Sequence, residues 1–107
     1  LERGRPTGHE PETLKIGELL IDLPRHLVTF RGKPIELTAT EFKLLTVLAQ
    51  RRGHVQSHDT LLRDVWDYNN LVDTRTVDTH MRRLREKLGP AAKNLDTVRG
   101  VGYRFVE

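Results

Sequence analysis

At 107 residues the chain has room for one modest core and not for two, and its 36% hydrophobic and 31% charged residues are an ordinary globular composition. No apolar run approaches the roughly 20 residues that span a bilayer, no signal-peptide pattern is visible, and the absence of cysteine excludes disulfides and thiolate metal sites and fits a reducing compartment. The formal net charge of +3 is uneven: Arg75 to Arg104 holds eight bases against three acids, a balance of +5, and the remainder carries −2.

The first residue is leucine, so a fragment or processed form is expected. Residues 1–12 are polar, punctuated by Pro6, Gly8 and Pro11, and show no apolar period, which predicts a linker or disordered tail before a domain over 13–107. Residues 14–37 alternate like short strands. Leu14 and Ile16 flank Lys15, and Leu19, Ile21 and Leu23 continue the pattern. Turn chemistry at Asp22-Leu-Pro24-Arg25 and at Arg31-Gly32-Lys33-Pro34 separates them, so an antiparallel meander is predicted.

Thr38-Ala39-Thr40-Glu41 has the spacing of a capping box, and the helix it opens is predicted to run to a stop at Gly53. Phe42, Leu44, Leu45, Val47, Leu48 and Ala49 cover more than one stripe, as a central helix requires. Ser57 is predicted to cap a second helix whose core face is Leu61, Leu62, Val65 and Trp66. A polar stretch over 67–74 leads to a third helix, with Thr74 its predicted cap and Gly89-Pro90 its stop.

At about 100° per residue, Val77, Met81, Leu84 and Leu88 share one stripe of the third helix. Arg75, Thr79, Arg82 and Glu86 lie nearly opposite, Thr76 and Arg83 to one side and Asp78 to the other, while Arg85 and Lys87 flank the stripe. The closing TVRGVGYRFVE is predicted to be a hairpin with Arg99 at its tip. Strands, two helices, a loop, a basic helix and a basic hairpin make an α+β layout, a helix-turn-helix with a wing.

The segments LTATEFKLL (37–45), LLRDVW (61–66), RTVDTHMRRLREKL (75–88) and TVRGVGYRF (97–105), with the strand-rich start, resemble the effector domain of OmpR/PhoB-type response regulators over residues 14–106. The resemblance implies a winged helix-turn-helix that binds double-stranded DNA and regulates transcription in the bacterial cytoplasm. Helix 75–88 would enter the major groove and the hairpin 97–105 the minor groove. It implies base contacts by Thr79, Arg83 and Arg99, and backbone contacts by Trp66, Arg75, Thr76, His80, Arg82, Arg85, Thr97 and Tyr103. It assigns an RNA polymerase contact to the loop Asp67, Tyr68, Asn69, Asn70, Leu71, Val72 and Asp73. A receiver domain would lie upstream, and the isolated domain would be monomeric, pairing on tandem half-sites. Two positions depart from the family: His58-Asp59 stands where Arg or Lys with Glu is frequent, and Asp67-Tyr68 follows the tryptophan where glycine is common.

Bland readings compete at several of these residues. Arg-rich helix faces are usually solvated, and Trp66 and Tyr103 suit packing as well as contact. His80 suits a structural role as well as a phosphate. A winged helix that binds protein instead of DNA is the alternative from another class. An enzyme is not expected. His54 and His58 are separated by the Ser57 cap, no third metal ligand is recognisable, and Gly100-x-Gly102 lacks the following helix of a phosphate-binding loop.

Overall fold

The computed structural model describes residues 13–66 and 73–106; the expected tail 1–12 and positions 67–72 of the expected polymerase loop lie outside the described residues. Four strands, β1 (Thr13–Ile16), β2 (Leu19–Asp22), β3 (Leu27–Phe30) and β4 (Lys33–Ile35), form an antiparallel meander in chain order. The register sets Leu14, Ile21, Val28 and Ile35 in one cross-strand row and Ile16, Leu19 and Phe30 in another. These side chains pack on the helices because alternate residues of a strand share a face.

The first turn falls at the expected Asp22–Arg25 and the second is shorter than expected. Leu23 belongs to the first turn, where Asp22 Oδ1 accepts the Arg25 amide at 3.2 Å. Arg31 and Gly32, both at positive φ, make the second turn alone, so Pro34 falls inside β4 and Leu37 outside it. Proline is tolerated there because β4 is an edge strand, with no further partner awaiting its missing N–H.

Helix α1 (Ala39–Gln50) opens on the predicted capping box, with Thr38 Oγ1 accepting the Glu41 amide and Glu41 Oε1 accepting the Thr38 amide. Its residues Phe42, Leu44, Leu45, Val47, Leu48 and Ala49 are all buried, so it is the central helix. The helix ends at Gln50 and not at Gly53. Arg51 closes it by donating its amide to Val47 and Leu48, and Gly53 sits in the turn beyond, its amide donating to Phe105 O at 2.8 Å.

Ser57 caps α2 (His58–Val65) by accepting the Thr60 amide. The cap of α3 (Thr74–Leu88) is Asp73, one residue before the expected Thr74; its carboxylate accepts the Arg75 amide at 2.9 Å. An ionised acceptor beside the positive end of the helix dipole is a strong cap, and it draws Thr74 into the helix. Val77, Met81, Leu84 and Leu88 are all buried as the wheel requires. Gly89 ends α3 at a φ of 57°, and a 3-10 helix, Gly89–Asn94, leads into the hairpin.

The hairpin carries a third strand that the sequence did not reveal. β5 (Gln56–Ser57) pairs with β7 (Gly102–Phe105), which pairs in turn with β6 (Leu95–Val98), in the order β5-β7-β6. Two residues give no period to detect, and their partner lies far along the chain. This short strand joins the start of the helix-turn-helix to the wing.

Candidate nucleic-acid interface

The apolar stripe of α3 fixes which side chains face solvent. With Val77, Met81 and Leu84 held in the core, Arg75, Arg82, Arg83 and Glu86 are exposed, and Thr76, to one side, and Thr79, on the outward face, are half-buried. The guanidinium groups of Arg75, Arg82, Arg83 and Arg99 make no hydrogen bond or ion pair among the described residues. Arg99 stands in the exposed turn between β6 and β7, which is closed by the Val101 amide donating to Val98 O at 2.9 Å. Val101 beside it is half exposed, at 50%.

The expected contacts differ in what already holds them. Trp66 is buried and meets His80 edge-on, with ring centroids 5.1 Å apart. His80 Nδ1 lies 2.9 Å from Thr76 O. A carbonyl only accepts, so Nδ1 carries the proton in this bond. Asp73 is taken up in capping α3.

Arg85, Thr97 and Tyr103 meet one another. Arg85 Nη2 donates to Thr97 Oγ1 at 2.6 Å and to Leu95 O at 3.3 Å, and its guanidinium lies 5.7 Å from the Tyr103 ring centroid. The Tyr103 hydroxyl donates to Asp78 Oδ1, which also lies 2.8 Å from His58 Nε2. The Tyr103 hydroxyl holds the Asp78 carboxyl below its ordinary value against the opposing effect of desolvation, with His58 adding to the pull. Burial, and then the bond to Asp78, push the Tyr103 hydroxyl up to about 12.

Neither Asp78 nor His58 was singled out for this role. On the wheel Asp78 and Arg85 lie on the same flank of α3, a signal that needs the position of the wing to become meaningful. No group of His, Asp or Glu among the described residues has the arrangement of a metal site. No described helix is long and apolar enough to cross a membrane.

A helix-turn-helix whose last helix lies against a hairpin, with arginines on both that are unpaired among the described residues, is a winged helix-turn-helix of the nucleic-acid-binding kind. A family model described as "Transcriptional regulatory protein, C terminal" matches residues 32–105. The response regulator ArlR of Staphylococcus epidermidis is 45% identical over 96 residues, covering 88% of this chain and 44% of that protein. The phosphate regulon regulatory protein PhoB of Pseudomonas aeruginosa is 43% identical over 99 residues, covering 92% and 43%. Among solved structures, the DNA-binding domain of Klebsiella pneumoniae RstA, in complex with the RstA box, is 32% identical with a TM-score of 0.80, covering 90% of this chain and 98% of that one. DrrB, an OmpR/PhoB homologue from Thermotoga maritima, is 32% identical with a TM-score of 0.81, covering 90% and 45%.

The chain belongs to this family as a C-terminal effector domain of OmpR/PhoB type, the DNA-binding, transcription-regulating part of a two-component response regulator. It spans less than half the length of the curated relatives it matches.

Proposed function

We propose that this domain binds double-stranded DNA sequence-specifically, with α3 in the major groove and the β6–β7 turn at the adjacent minor groove. The observation that carries the reading is the set of guanidinium groups on the outward face of α3, unpartnered among the described residues, beside Arg99 at the hairpin tip. An α-helix fits the major groove, and arginine binds guanine O6 and N7 bidentately. Arg83 and Thr79 read base edges there. Arg99 enters the minor groove, whose potential is most negative where it is narrow. Arg75, Thr76, His80 and Arg82, with Trp66, follow the phosphates, and Arg85, Thr97 and Tyr103 complete the backbone-facing set.

The loop 67–74 is the proposed contact for RNA polymerase, tested by placing a photo-crosslinker at Leu71 on a promoter-bound complex; polymerase left unlabelled would count against it. The relatives are response regulators about twice as long, which supports an upstream receiver domain; its phosphorylation on aspartate and its place in the bacterial cytoplasm belong to the same proposal. Its pairing would bring two effector domains onto tandem half-sites, and the isolated domain would sediment as a monomer.

A gel-shift series on random duplex at two salt concentrations tests the central reading. Log K should fall by about 0.9 per log unit of salt for each phosphate neutralised. No binding at low salt would sink it.

A further inference from the structure

Asp78 and Arg85 are seven residues apart on α3, so their side chains leave the same flank about 10 Å apart along the axis. Tyr103 of β7 occupies the gap: its hydroxyl reaches Asp78, and its ring lies under the Arg85 guanidinium. Thr97 is the cross-strand partner of Tyr103, and its hydroxyl accepts from Arg85 at 2.6 Å, while Leu95 O accepts from the same nitrogen at 3.3 Å. Arg85 therefore grips both strands of the wing, and His58 of α2 supports Asp78 from behind. None of the four outward arginines is held in this way among the described residues.

We propose that Arg85 and Asp78 are positioning residues that clamp the wing to α3 and set where Arg99 falls relative to the bases that α3 reads. The proposal rests on the DNA-binding reading and replaces one part of it, the backbone contact given to Arg85 above: Arg85 acts on binding through the placement of the wing, not by neutralising a phosphate. A domain that reads two grooves at once needs a fixed distance between its two readers. The flat guanidinium suits the task because its plane can lie against the ring while Nη2 donates to Thr97 and Leu95, whereas a lysine ammonium is a compact point charge with no flat face to lay on the ring.

The test uses the duplex that the unaltered domain selects from a random library, and binding over a series of salt concentrations. R85A and R85K should each bind it roughly tenfold more weakly, with the slope of log K against log salt unchanged. In an R99A background the further loss from R85A should shrink to less than about threefold, because the wing has nothing left to place. Three results would overturn the proposal: R85K binding like the unaltered domain, a slope reduced by about 0.9 in R85A, or losses that simply add. If the unaltered domain binds no duplex at low salt, the DNA-binding reading itself has failed, and the clamp goes with it. Thermal melting checks each variant. If R85A does not melt cooperatively, T97V and Y103F, which each remove one partner of the clamp, are put through the same cycle with R99A.

Discussion

Arg82 and Arg83 are chain neighbours, yet about 100° of helical rotation aims them in different directions, and in the proposed docking they meet different parts of the duplex. Arg83→Ala is expected to cost roughly 1–3 kcal/mol and relax discrimination at one base position, whereas Arg82→Ala should weaken all sequences alike. Titrations against a selected site and its single-base variants separate the two, and equal losses on every duplex would refute the division. The buried Glu41 has a different task. Desolvation pushes its carboxyl up, but donors from Lys87, at 2.6 Å, and from Thr38 together hold it below the ordinary value of 4.5. A lowered native value means the pairing stabilises the fold above the unfolded value, and that contribution fades as pH falls through the native one. Lys87→Met leaves a buried carboxylate short of one donor. It should cost about 2 kcal/mol at neutral pH, less than a fully buried pair because the lysine side chain keeps 40% of its surface in water. Urea unfolding of both proteins across the acid range should show the difference shrinking as Glu41 protonates.

At the scale of elements, the joint between β5 and β7 is the least forgiving. A Cβ added at Gly102 would run into the backbone of Gln56 and Ser57, which cannot swing aside as a side chain would. Gly102→Ala should therefore destabilise by roughly 1–3 kcal/mol or more, lowering the melting temperature by about 4–8 °C per kcal/mol. Unchanged melting would mean that the two backbones have room to part. This joint is also what sequence reading missed. The Thr38–Glu41 box, the Ser57 cap and the Val77–Leu88 stripe were legible because each is settled within a single helix. β5 was not, because its two residues owe their conformation to a strand near the other end of the chain. The site divides in the same way. The outward arginines follow from helical period alone, whereas the meeting of Asp78, Arg85 and Tyr103 depends on where β5 and the rest of the fold hold the wing.

For the whole molecule, the charge asymmetry read from the sequence predicts which end meets DNA, and the wing clamp predicts how the fold responds to alkali. The Tyr103 hydroxyl is raised to about 12 from 10.0, so its contribution is complete below the unfolded value and disappears as pH rises through the native one. Unfolding free energy should fall by on the order of 2–3 kcal/mol across that window, and Tyr103→Phe should remove this part of the dependence. Denaturant titrations at stepped alkaline pH would measure both, and an identical profile in the variant would refute the assignment. The strand pairing carries one more consequence, for the order of assembly. The N-terminal meander pairs each strand with the next, so it can close while the chain is still being made. β5 must wait for Tyr103, 47 residues after Gln56, and the buried Phe105 arrives later still. On the ribosome, the half of the domain proposed to meet DNA therefore cannot close until Gly102–Phe105 has emerged, and a chain not yet grown that far presents no finished reading head.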